Sequence, residues 1–424
     1  MIGMKTFDGV LLVPTIAASK RRRNFAMLLY IVLSLGVAMS ISQEETPEIG
    51  SLGYWLLIAP TLLLPLTDVG AIFRTLLGQA RLILVFGLTA GAWQFLRGDI
   101  KALLQLVLIV WVLGWLSTHR ARLELRDLIA LYLTLILIGA YIWIFSDGNK
   151  WGLLPNMTVY DGLDWRISFF PNIANSAVLS LAMFLILTQS AALARKHLVV
   201  LLIVAYFLFF SFVRTATIGV MLYLSMRWWL GAKPRSPRAM FWVAMLLGIG
   251  INLLIAGSAA IFANLGEFEL ISRLFLRSET NLSSEEVFAQ LYRPWLWMQH
   301  LLLFWDSPWK MGHGAFEFFE MQIEELNVGT TPAGNEAQLT RLLATYGFPG
   351  LLYSWYLINR LRKVAKNRDV WAVACFPTIF LLIMQWGSVF HPSDANGAIF
   401  LLIAIHGSQA FVMQRTKYFN ILAK

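Results

Sequence analysis

Charge and cysteine are what this 424-residue chain has little of: it holds one cysteine, and Asp, Glu, Lys and Arg together make up only 14% of it. A soluble globular domain carries about 25% charged residues, so a chain well below that, with 58% hydrophobic residues, is excluded from that class. The lone Cys375 lies inside an apolar run, which rules out an intrachain disulfide and any cysteine-rich metal site. No phosphate loop, dinucleotide fingerprint, zincin pair or nucleophile elbow is present. Low-complexity tracts and fixed-period repeats are missing too, so nothing divides the chain into separate domains.

What the chain has is a succession of apolar runs. A bilayer core takes about 20 apolar residues per helix. Polar punctuation then gives twelve expected spans, at 25–41, 52–67, 82–96, 101–117, 127–146, 172–192, 198–212, 215–230, 239–262, 342–359, 370–390 and 397–413. The expected fold class is therefore an all-α polytopic membrane protein of about 12 transmembrane helices, a single integral domain over 1–424. Residues 198–230 are apolar throughout, and as one helix they would reach about 50 Å, longer than a bilayer core. A break is expected at Ser211-Phe212-Val213-Arg214-Thr215, with Arg214 at the turn.

Lys20, Arg21, Arg22 and Arg23 stand before the first run and place the N terminus in the cytoplasm. The run behind them is long for a cleaved leader, so an uncleaved anchor is expected. Alternation from that start puts 24 of the 34 Lys and Arg, and both termini, on the cytoplasmic side. Merging 198–230 into one span would turn Arg360, Arg362, Lys363, Lys366 and Arg368 outward. The net charge of +10 thus suits the anionic lipid heads of the cytoplasmic leaflet and gives no reason to invoke nucleic acid.

The longest departure from membrane character is residues 263–341, between the ninth and tenth spans on the outer face. An amphipathic helix is expected over 285–305, where Leu291, Trp295, Met298, Leu302 and Trp305 recur at helical spacing. Trp295, Trp297, Trp305 and Trp309 suit a headgroup region. Gly312-His313-Gly314 is too short to cradle a phosphate by itself and reads as a turn that lets backbone approach a neighbour.

Six arginines fall on this outer face: Arg166, Arg214, Arg273, Arg277, Arg293 and Arg341. A guanidinium offers a planar fork of donors that matches phosphate oxygens. An outer-face arginine also commonly pairs with an acid or reaches lipid phosphate. Arg214, between two short helices, is the functional candidate by position. Further on, Asn335 and Glu336 can cap a helix and supply its first-turn acid. Gln338, Arg341 and Thr345 follow within about 60° of one another on that helix, lining an expected polar groove beside Leu339, Leu342 and Tyr346.

Four segments carry a resemblance. SFFPNIANSA (168–177), FFSFVRTATIGVML (209–222), YRPWLWMQHLLLFWDSPWKMGHGAFEFF (292–319) and GNEAQLTRLLATYGFPGLL (334–352) resemble, in order and spacing, the motif segments of the O-antigen ligase and O-antigen polymerase superfamily. The resemblance implies glycosyl transfer at the periplasmic face of a bacterial inner membrane, from an undecaprenyl-pyrophosphate-linked glycan, with no cofactor, metal or nucleotide sugar. Arg214 and Arg293 match the motif arginines and are implied to hold the pyrophosphate, with Arg273 or Arg277 as a third contact. Asn335, Gln338, Arg341 and Arg166 are expected on the acceptor side.

The chain departs from the family at one position. Many ligases carry His-Asn where this chain has Gly334-Asn335, so the histidine implied as base is replaced. Glu336, His313 and His391 are the available substitutes, and for Glu336 helix capping is the competing reading. The missing histidine favours a polymerase that joins repeat units; a ligase that moves finished glycan to lipid A core, or to protein, is the alternative. A transporter or flippase is the third reading, disfavoured because the charges gather at outer helix ends rather than mid-membrane. The implied partners are the lipid-linked glycan as donor and, for a polymerase, as acceptor, together with membrane lipids and a chain-length regulator protein.

Overall fold

A computed structural model of the protein describes residues 24–32, 69–118, 123, 125–145, 152–154, 167–170, 173–211, 213–231, 239, 242–243, 245–250, 293–314, 327–328, 331–332, 338–366 and 370–385. They are mostly helical: α1 (Val69–Leu77), α2 (Arg81–Leu96), α3 (Ile100–Leu116), α4 (Leu125–Phe145), α5 (Ile173–Leu187), α6 (Ala191–Lys196), α7 (Leu198–Phe210), α8 (Arg214–Gly231), α9 (Arg293–Asp306), α10 (Gln338–Lys366) and α11 (Val370–Gln385). Residues 24–32 and 245–250 are helical as well. A short antiparallel pairing of β1 (Asn327–Val328) with β2 (Thr331–Pro332) departs from this pattern.

Most expected segments coincide with helices to within a few residues. The run 198–230 ends one helix at Phe210 and begins the next at Arg214. Of the expected amphipathic helix, residues 293–305 are helical, while 285–292 lie outside the described residues, as do the expected spans 52–67 and 397–413. Two helices were not expected. α1 is nine residues long and meets α2 at an 89° bend. α6 has six residues and is started by Ser190, whose Oγ accepts from the Leu193 backbone N–H at 3.2 Å.

Among the described residues, α4 is long and apolar enough to cross a membrane alone, and α1 with α2 would do so as a broken pair. The outward side of α4 carries Leu137, Tyr141, Ile144 and Phe145, all exposed. Apolar exposure on that scale marks a surface meant for a non-aqueous neighbour.

α10 lies against α2, α9 and α11, and α8 lies against α11 and α5. Close approach of α8 and α11 depends on Gly219: a Cβ there would lie 3.0 Å from Thr378 Cγ2, and Thr378 Oγ1 donates to the Gly219 carbonyl at 2.6 Å. Phe86 of α2 wedges between Tyr346 and Tyr353 of α10, with ring centroids 5.3 Å and 6.1 Å away.

Hydrogen bonds sort the helix ends. At one end, Arg227 of α8 donates to the Thr188 and Gln189 carbonyls that follow α5, and Trp371 at the start of α11 donates to the Leu185 carbonyl. α5 and α8 therefore run in the same direction and α11 runs opposite. At the other end of the helices, the Ile167 N–H donates to the Phe210 carbonyl at the end of α7, and Trp93 near the end of α2 donates to the Gly312 carbonyl.

Candidate functional site

The site grows from a defect in α10. Gly347 adopts φ 61° and ψ −147°, and Pro349 follows two residues later. Proline has no N–H, so the carbonyl four residues back, that of Thr345, loses its helical donor. The loop after α9 supplies the replacement: the Gly314 N–H donates to Thr345 O at 2.8 Å, and the His313 N–H donates to Ala344 O at 3.0 Å. The kink in one helix is thus completed by the backbone of another segment, which accounts for the glycines around His313.

Both flanking glycines have positive φ, 80° at Gly312 and 84° at Gly314. A Cβ on Gly312 would meet the Thr345 carbonyl at 2.5 Å, and one on Gly347 would meet the Lys310 oxygen at 2.2 Å. The expected close approach at Gly312-His313-Gly314 is therefore real, and its neighbour is the α10 kink. Ser307 Oγ accepts from the Gly312 N–H at 3.2 Å and closes the loop.

The end of α2 grips the same three residues from the other side. Trp93 Nε1 donates to the Gly312 carbonyl at 3.2 Å and Arg97 Nη1 to the His313 carbonyl at 2.8 Å. Gln94 lies against Gly314, where a Cβ would come within 2.7 Å of its Oε1. The Gln94 carboxamide is buried, and among the described residues neither of its polar atoms has a hydrogen-bond partner; the same holds for Thr345 Oγ1. Sequence reasoning had no reason to single out this end of α2, since Gln94 and Arg97 close an ordinary apolar run.

α9 begins at Arg293 followed by Pro294, a residue favoured in a first helical turn because its missing N–H has no intrahelical role there. Two turns on, His300 is fully buried, and its Nδ1 lies 3.1 Å from Thr340 Oγ1 in the first turn of α10. Burial, and then the charge of Arg341, lowers the His300 pKa to about 3, so the imidazole is neutral at neutral pH. A histidine inside the apolar stretch LWMQHLLLFW was the available signal for this residue. Arg341 is half-buried, and burial pulls its own pKa down.

The sequence-expected residues divide as follows. Arg214 opens α8, Arg293 opens α9 and Gln338 opens α10. His313 is buried with Nε2 2.9 Å from the Leu303 carbonyl; a carbonyl only accepts, so Nε2 carries the hydrogen. Thr345 does not line an open groove, because the Gly312–Gly314 turn covers it. Asn335, Glu336, His391, Arg166, Arg273 and Arg277 lie outside the described residues.

Residues 198–354 match the family model described as O-antigen ligase. The matched region runs from the start of α7 into the second half of α10 and contains three of the four motif segments, with both motif arginines. No curated protein matches the chain.

Proposed function

We propose, from the match of residues 198–354 to the O-antigen ligase family model and the motif segments that resemble the ligase and polymerase superfamily, that the protein transfers glycan from undecaprenyl pyrophosphate at the periplasmic face of a bacterial inner membrane, joining repeat units into a polymer. The carrying observation is that the matched region contains Arg214 and Arg293, each the first residue of a helix. A helix start presents unbonded N–H groups and the positive end of the backbone dipole, which favours anions beside a guanidinium. Two such starts suit a pyrophosphate leaving group, with Arg273 or Arg277 as a further contact.

In the transfer, the acceptor hydroxyl oxygen bonds to the anomeric carbon as the bond from that carbon to the pyrophosphate oxygen breaks. The leaving group departs with the electron pair, and the arginines hold the charge that develops on it. The hydroxyl proton passes to a base. Glu336 is our choice, two residues before α10, where the helix dipole keeps a carboxylate ionised. His391 is the second candidate. His313 is the weakest, since one of its ring nitrogens is engaged with Leu303. On this reading no metal or cofactor takes part.

The sorting of helix ends supports a chain that alternates across a bilayer, with the Gly312–Gly314 turn and the start of α8 on one side and Arg227 and Trp371 on the other. The twelve-span arrangement with cytoplasmic termini is our reading of that pattern. The description of the matching family favours the ligase as a second reading, and Gly334 in place of a histidine favours the polymerase. A glycan gel of cells lacking the gene separates them. Single-repeat products in place of long chains identify a polymerase, whereas full-length polymer left on undecaprenyl pyrophosphate identifies a ligase. An unchanged glycan profile rules out both.

A further inference from the structure

α1 lies across the other helices, meeting α2 at an 89° bend. α2 stands along the bundle: Trp93 and Arg97 at its end bond the Gly312–Gly314 turn, while Gln79, just before its start, donates to the Ser117 carbonyl at the end of α3. Ser117 Oγ in turn lies 2.6 Å from the Tyr356 hydroxyl, close to the end of the span expected over 342–359 and four residues before Arg360. On the twelve-span reading, α1 therefore runs parallel to the membrane at its cytoplasmic boundary.

The sides of α1 sort as that position requires. Successive residues on a helix are about 100° apart, which divides α1 into sectors. Ile72 and Leu76 are buried against α3, where a Cβ on Gly114 would come within 2.9 Å of Ile72 Cγ2 and 3.0 Å of Leu76 Cγ. One step round, Phe73 and Leu77 form an exposed apolar stripe. The Phe73 ring meets Trp111 edge-on, with centroids 5.5 Å apart. Trp111 precedes Gly114 on α3 and so lies farther from the cytoplasmic end, which means that Phe73 points toward the membrane interior. One step further round, Arg74 is exposed, as is Arg81 at the start of α2. From Arg81, the exposed Val85 and Leu88 continue along one side of α2, so charge gives way to apolar surface within about one turn.

We propose that α1 is an in-plane helix of the cytoplasmic leaflet, with Phe73 and Leu77 among the acyl chains and Arg74 and Arg81 on the phosphates of anionic phospholipid. A helix held this way gains from apolar burial on one side and from lipid charge on the other. Its anchoring also fixes how deep α2 stands. One length of α2 away, 16 residues or about 24 Å, it sets the level at which Trp93 and Arg97 hold the Gly312–Gly314 turn. The inference rests on the membrane-spanning reading and not on glycan transfer.

The test is spin-label depth in the full chain, reconstituted into vesicles of phosphatidylethanolamine and phosphatidylglycerol, in a Cys375→Ala background that removes the one native cysteine. A nitroxide on Leu77→Cys should collide more with dissolved oxygen, which partitions into acyl chains, than with a water-soluble nickel chelate. One on Arg74→Cys should show the reverse. A Leu77→Cys label reached preferentially by the chelate overturns the proposal, and so does one reached by neither, because protein then covers the stripe. Headgroup charge is read separately, without the cysteine change. Phosphatidylglycerol added to the wild type in detergent should raise its unfolding temperature, and Arg74→Gln with Arg81→Gln should lose at least about half of that rise. An equal rise in both overturns the assignment to anionic lipid. Glycan transfer by a protein whose Leu77→Cys label is aqueous removes the anchor and keeps the functional reading. A lipid-buried label in a protein without transfer does the opposite.

Discussion

His300 Nδ1 and Thr340 Oγ1 lie 3.1 Å apart with both side chains buried, joining the helix opened by Arg293 to the first turn of α10. A buried bond of this kind costs more to break than it contributes when made, because the surviving group is left without its partner. Thr340→Val keeps the shape and removes the hydroxyl. It should destabilise the protein by about 1–3 kcal/mol, read as a lower unfolding temperature in detergent, and Thr340→Ser should restore most of the loss.

The same histidine predicts a pH dependence. Its pKa is about 3 when folded against an ordinary 6.5, so between those values the unfolded chain binds a proton that the folded chain does not. Stability from this group is therefore complete above about pH 6.5 and declines as the pH falls, by at most about 1.4 kcal/mol per unit. Unfolding temperatures measured from pH 7 to pH 4 should fall less steeply in His300→Gln than in the wild type.

Gly347 and Gly98 make a matched pair of substitutions. Both have positive φ, but a Cβ at Gly347 meets Lys310 and Met311 backbone within 2.5 Å, while nothing lies within 4 Å of one at Gly98. Gly98→Ala should cost about 1 kcal/mol, the price of the backbone angle alone. Gly347→Ala should cost several times that or prevent accumulation of folded protein, as measured by monodisperse yield and thermal unfolding.

The helices were legible in the sequence because apolar runs of bilayer length leave few alternatives, and the break before Arg214 followed from the same length limit. The close approach at Gly312-His313-Gly314 was legible from its glycines, though not its target. That target depends on Pro349 withdrawing a donor from Thr345, a consequence that appears only when the two segments are side by side. The same contact buries Thr345, which helical periodicity had placed in an open groove. His300 and Thr340 are forty residues apart, and no local pattern links them. α1 and α6 are too short to register as membrane segments.

Gln94 offers a different kind of prediction. Its carboxamide is buried against Gly314, with no hydrogen bond to either polar atom among the described residues. Gln94→Met keeps the length and discards the unpaired amide, so it should stabilise the fold by about 1 kcal/mol. A lower unfolding temperature would show that the amide is satisfied in solution.

The central claim is that Arg214 and Arg293 hold the pyrophosphate of a lipid-linked glycan during its transfer. Its most direct test is a transfer assay with purified protein in membranes, using undecaprenyl-pyrophosphate-linked repeat units from the cells that express it. The wild type should build glycan chains, Arg214→Ala and Arg293→Ala should each lose at least about a hundredfold in rate while remaining folded, and Glu336→Gln should be slowed sharply. Chains of normal length made at a normal rate by either arginine variant would contradict the account.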